Sequence, residues 1–176
     1  TLRLDGPHDV PALSAAVTDV VARHEVLRTQ YPAAAGEEPH QQILSAPELD
    51  LTPRDTPPES VESAVAAFAS EGFDLTCEMP LRVRLLQIGP DSHVLAVVLH
   101  HIAADGWSLT PLMTDVLTAY DARRAGEPPD WAPLPLHFAD YALWEQELRR
   151  SEYAARGLRQ RLHTLQLMRR DSFTET

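Results

Sequence analysis

The chain has 176 residues, 44% apolar and 23% charged, the make-up of one folded domain and too apolar for a disordered segment. Its net charge is −11, from 26 acidic against 15 basic residues, which excludes nucleic acid as the main partner because a phosphate-tracking surface needs positive charge. All the basic residues are Arg, so there is no Schiff-base lysine, phosphate-loop lysine or lysine general base.

Leu2 and Leu4 alternate with polar neighbours and predict a short strand ending at Asp5-Gly6-Pro7. A helix follows from an Asp9 cap, with Pro11 in its first turn and Val10, Leu13, Val17, Val20, Val21 and Leu27 on one face. His24 falls on that stripe. The chain then leaves as a strand over 27–31, with further short strands expected near 41–44 and 49–51. Thr56-Pro57-Pro58-Glu59 reads as a capping box opening a second helix, which buries Val61, Val65 and Phe68 and stops at Gly72. Residues 81–88 and 93–100 form a hairpin about a 89–92 turn, and the second strand, apolar on both faces, is central. A helix over about 108–124 stops at Gly126, a proline-rich connector spans 128–135, and a last helix starts near His137. Helices interleaved with hairpins predict an α+β fold, a two-layer sandwich.

Other features bound the function. Cys77 is alone, which excludes an internal disulfide and a cysteine zinc cluster. The longest apolar run, 94–99, is far short of the ~20 residues of a membrane span, so no membrane role is expected. With no visible leader, the expected location is cytoplasmic. The chain starts without Met, directly in a strand, which suggests a piece of something longer. Seven Arg against three acids give residues 149–176 a net +4, leaving −15 on the first 148. That tail reads as an interaction arm or as the solvated face of a helix.

The chemistry concentrates in His100-His101-Ile102-Ala103-Ala104-Asp105-Gly106, at the junction of the most buried strand with a helix. Adjacent strand residues point to opposite faces, so the two His are poorly placed to share a metal. The residues alone leave two readings open. One is a structural His pair beside an ordinary Asp-Gly turn; the other is one buried His and one presented to a cleft as a general base.

LHHIAADGWS (99–108) resembles the HHxxxDG motif of condensation domains in nonribosomal peptide synthetases. RHEVLRTQY (23–31) is similar to that family's RHExLRTxF, FADYALW (138–144) to YxDYAxW, and FDLTCEMPLRVRLL (73–86) to FDLxxxPLxRxxL. The resemblance spans 1 to about 150 as the amino-terminal lobe, and leaves 151–176 as an Arg-rich helical tail; the family's opening motif is absent. It implies a chloramphenicol-acetyltransferase-like lobe facing a second, carboxy-terminal lobe across a tunnel. Donor and acceptor peptidyl carrier proteins would insert phosphopantetheine arms there, with no bound cofactor and no metal, and an amine would attack a thioester to form an amide.

The same resemblance implies that His101 is the catalytic His and His100 its core-facing partner. It makes Asp105 a structural salt-bridge partner and puts the Gly106 N–H near the thioester. Arg23 and Arg28 are candidate partners of Asp105 or of another core acid; His24 and Glu25 are fold determinants. Asp140, Tyr141 and Trp144 are expected to anchor the last helix. Alone, the lobe is expected to be inactive and to form a homo-oligomer through its uncovered face. The rival readings are a docking lobe for carrier proteins and a small coenzyme-A acetyltransferase; the 23–31 and 138–144 segments argue against the latter.

Overall fold

A computed structural model describes residues 1–33, 36 and 38–150. Its elements are β1 (Leu2–Asp5), α1 (Val10–Arg23), a 3-10 turn (Glu25–Arg28), β2 (Thr29–Gln30), β3 (Gln42–Ile43), β4 (Arg54–Asp55) and a second 3-10 turn (Pro58–Ser60). They continue with α2 (Val61–Ser70), β5 (Leu81–Gly89), β6 (Ser92–Leu99), α3 (Leu109–Arg124) and α4 (Phe138–Arg150). The chain divides into two units, 1–135 and 136–176; α4 belongs to the second, and the Arg-rich tail expected over 151–176 lies outside the described residues.

The strand that is apolar on both faces sets the architecture. β6 lies between β1 and β5 in a sheet of order β1-β6-β5-β4, antiparallel to both neighbours, while β4 runs parallel to β5. From β5 and β6, Leu81, Leu85 and Leu95 enter the core with Val17, Val20 and Val21 of α1 and Val116 of α3. The alternate side chains face the other way, where Arg84 stacks 4.0 Å from the ring centroid of Phe68 on α2. Thus α1 and α3 cover one face of the sheet and the shorter α2 covers the other. The α+β class expected from the sequence holds.

Three local expectations are corrected. Residues 49–51 make no strand: the Leu49 and Leu51 amides donate to the Thr18 and Ser14 hydroxyls of α1, and the ladder residues are Arg54 and Asp55. Thr56 caps nothing, and its hydroxyl donates to the Arg54 carbonyl (3.0 Å). Pro58 holds Pro57 extended (ψ 137°), so the chain turns only from Pro58 and the α-helix starts at Val61. The strand expected over 27–31 shrinks to Thr29–Gln30, because residues 25–28 coil into the 3-10 turn, where the Thr29 hydroxyl donates to the Glu25 carbonyl (2.8 Å).

Ion pairs join α1 to α3. Arg123 donates from Nε and from Nη2 to the two Asp19 carboxylate oxygens, each at 2.6 Å, a two-pronged grip that raises the guanidinium pKa. Asp115 receives Arg23 Nε (3.0 Å) and His24 Nε2 (2.7 Å) on a single oxygen. Arg23 also donates to the Ala132 carbonyl (2.8 Å) and lies 4.7 Å from the Trp131 ring centroid, which ties the proline-rich connector to the end of α1. The side chains of Arg23 and Asp115 are 14% and 21% exposed. Losing one partner of a fully buried pair costs about 3–5 kcal/mol, so this less buried one should cost about 2–3 kcal/mol. Asp115→Ala is therefore expected to melt several degrees early in a thermal scan. An unchanged Tm would show that the cluster does not hold α1 to α3.

Candidate active site

β6 delivers residues 100–108 to the top of the sheet, and each end of this loop is closed by its own side chain. The His100 amide donates to the Pro80 carbonyl (2.9 Å), and the His100 carbonyl accepts from the Ala103 amide (2.9 Å). The His100 ring accepts the Ile102 amide at Nδ1 (3.0 Å). An amide can only donate, so Nδ1 is unprotonated and the ring proton sits on Nε2. Phe73 stands perpendicular to this ring, at 5.8 Å and 86°. His100 is thus committed on both ring and backbone. His101 is exposed, and its ring makes no hydrogen bond or ion pair among the described residues. No three His, Cys, Asp or Glu side chains among those residues group as metal ligands.

At the other end, Asp105 Oδ1 accepts the Ser108 amide (3.0 Å) and the Ser108 hydroxyl (2.6 Å), while Ser108 Oγ accepts the Asp105 amide (3.2 Å). This reciprocal pair works as a capping box ahead of α3. The Ser108 hydroxyl, then its amide, hold the Asp105 carboxyl below the ordinary carboxylate value. Among the described residues Asp105 makes no ion pair: the carboxylate lies on the surface and accepts from Ser108. Arg23 goes to Asp115. Arg28 meets Glu25 (3.5 Å) and donates to the carbonyls of Leu44 and of Ala22 (3.4 Å). Neither Arg joins the loop, because each serves the junction after α1.

Gly106 has no left-handed backbone conformation, and a Cβ built on it would meet nothing within 4 Å. The lobe itself therefore does not require glycine there; what glycine leaves is clearance on the open side of the loop. Around it, Trp107 is 90% exposed, with Ile102 and Leu109 also exposed. In the second unit, Asp140 Oδ2 accepts the His137 amide (3.1 Å) and caps α4. The Tyr141 ring lies 6.2 Å from Phe138 and 5.8 Å from Trp144, so Tyr141 and Trp144 belong to one aromatic row along that helix.

The structure thus gathers His100, His101, Asp105 and Gly106 in one loop and commits Arg23 and Arg28 to the junction after α1; Asp140, Tyr141 and Trp144 belong to the second unit. Ser108 was not anticipated, although the Asp-x-x-Ser spacing is a visible cap signal. Asp115 carries no such signal; only the packing of α3 on α1 brings it to Arg23.

Residues 1–170 match the family model described as "Condensation domain". The chain belongs to the condensation-domain family. The match runs past residue 150, where the recognisable segments end. The chain is 53% identical over 148 residues to the probable non-canonical nonribosomal peptide synthetase CymA of Salinispora arenicola, covering 84% of this chain and 2% of that protein. It is 48% identical to an isonitrile lipopeptide synthase of Mycobacterium tuberculosis, covering 84% of this chain and 6% of the relative. Among solved structures, the X-domain from teicoplanin biosynthesis superposes with a TM-score of 0.82 at 46% identity, over 86% of this chain and 33% of that one; it has also been solved in complex with OxyB. The chain therefore spans a few per cent of these curated relatives and a third of the solved domain. The fold is the chloramphenicol-acetyltransferase-like one of condensation domains. No described helix is long and apolar enough to cross a membrane.

The Asp105–Ser108 cap has a predictable pH response. A depressed folded pKa means that its stabilisation is complete above the ordinary Asp value of 3.8 and is lost as pH falls through the lower folded value. The Ser108 amide shift, followed by NMR, should therefore titrate with a midpoint below 3.8. Ser108→Ala should move the Asp105 midpoint back up. A midpoint at or above 3.8 in the parent chain would contradict the capping geometry.

Proposed function

We propose that this chain is the motif-bearing lobe of an acyltransferase that forms amide bonds between carrier-bound thioesters in nonribosomal peptide synthesis. The observation that carries the reading is His101: an exposed imidazole with no hydrogen bond or ion pair among the described residues, between two hydrogen-bonded neighbours, on a loop that also leaves open space at Gly106. In the reaction, the acceptor amine attacks the donor thioester carbonyl and a C–N bond forms. The C–S bond then breaks, and the departing sulfur takes up the proton that the amine gives up. His101 positions the amine or accepts its proton, and the Gly106 N–H meets the polarised carbonyl oxygen. His100 and Asp105 act indirectly, by holding the loop. No cofactor is bound; phosphopantetheine arms of donor and acceptor carrier proteins bring the substrates.

The partners follow from the same reading. The exposed apolar side chains beside the loop, Trp107 foremost, are to be covered by a carboxy-terminal lobe; a lobe left alone would self-associate through them. Such a synthetase works in the cytoplasm, where Cys77 stays reduced.

A second reading has one observation in its favour, the likeness to an X-domain that has been solved with OxyB. On it, the lobe docks a carrier protein or a partner enzyme and performs no chemistry. The two readings part in one assay: amide formation from donor and acceptor carrier thioesters, measured for the chain alone and for the chain joined to a carboxy-terminal lobe. The chain alone should give no product, since positioning supplies up to about 7–11 kcal/mol of barrier reduction and one wall cannot align two arms. The two-lobed form should turn over and lose about 10²-fold or more with His101→Ala. Undiminished turnover by that variant would remove the chemistry from this loop, and turnover by the chain alone would overturn the half-site reading.

A further inference from the structure

The segment 71–82 meets the loop at His100, whose amide donates to the Pro80 carbonyl (2.9 Å) and whose ring faces Phe73, and it is itself organised about one cation. Arg82 of β5 donates to the carbonyls of Gly72 (2.6 Å) and Glu71 (3.1 Å) and to the Glu78 carboxylate (2.6 Å); the Glu71 carboxylate lies 3.6 Å away. Its guanidinium stacks 4.3 Å from the Phe73 ring centroid, and Phe73 stands against His100. Arg has the flat fork that can satisfy several acceptors while lying on an aromatic face; an ammonium cannot do both.

We propose that Arg82 is a positioning residue for the loop: it fixes Phe73, which holds the His100 ring where Nδ1 accepts the Ile102 amide, and so sets the turn that carries His101. The relevance of this to catalysis rests on the acyl-transfer reading, but the relay itself can be read without turnover. Strand β5 supplies its own control, because Arg84 makes the same kind of stack on Phe68 at 4.0 Å, away from His100.

The test is NMR on the full 176-residue chain, reading the His100 ring-nitrogen shifts, which report the tautomer, and the exchange rate of the Ile102 amide. The parent chain should show an unprotonated Nδ1 and a protected Ile102 amide. Arg82→Ala and, as a second variant should the first not fold, Phe73→Leu should shift the ring toward a tautomer mixture and speed Ile102 exchange about tenfold or more. Arg82→Lys should restore little of either signal. Arg84→Ala should leave both signals at the parent values, whatever it does to Tm. A parent-like His100 tautomer and parent-like Ile102 exchange in Arg82→Ala or Phe73→Leu would overturn the proposal. So would an equal disturbance by Arg84→Ala, which would reduce Arg82 to general stability. A failed relay would leave the role of His101 standing, and an inactive His101 would leave the relay standing.

Discussion

A strand buried on both faces has to surrender its backbone pairing at the point where it surfaces, and the whole candidate site is built around how β6 does so. The ladder with β5 runs from Gly89↔Ser92 to Leu81↔Leu99. One step later the His100 amide still finds a partner, the Pro80 carbonyl, and from there the chain must satisfy itself. An unpaired amide shielded from water would cost about 1–3 kcal/mol. The His100 ring takes the Ile102 amide, and Asp105 with Ser108 takes the next ones. The polar residues of the motif are therefore first of all the loop's substitute for a sheet ladder. Among the described residues, His101 is the member this substitution leaves out.

The helices provide the ground on which the loop stands. α3 begins where the Asp105 cap ends, so any slip of α3 along α1 would drag the loop with it. Two acid–Arg clusters oppose that slip: Asp19 with Arg123, and Asp115 with Arg23 and His24. They also explain why a motif rich in charge, RHEVLRT, lies outside the loop. Arg23 and His24 hold α3, and Arg28 holds the 3-10 turn and the Leu44 carbonyl. The lobe's strong negative charge is consistent with a surface that does not contact phosphate backbones.

Much of this was legible in the residues. The hairpin pattern about the 89–92 turn gave β5 and β6, a second strand apolar on both faces gave the central place of β6, and the 3.6-residue stripe from Val10 gave α1. What was not legible depended on long-range geometry or on competition between local rules. Two consecutive prolines overrode a good capping box at Thr56. Hydroxyls on α1 captured the amides of Leu49 and Leu51, so a short alternating segment with strand character never paired. At the site, the resemblance implied a salt-bridge partner for Asp105, whereas among the described residues its carboxylate accepts from a serine three residues on. Asp115 matters through an element far away in the chain, which no periodicity encodes.

Two adjacent imidazoles are held differently: His100 spends its Nδ1 lone pair on the Ile102 amide, and the His101 ring makes no hydrogen bond among the described residues. Acylation by diethyl pyrocarbonate requires a free ring lone pair, so timed labelling of the 176-residue chain with tandem mass spectrometry reads the difference directly. His101 should be carbethoxylated well before His100. Equal labelling, or His100 reacting first, would contradict the account.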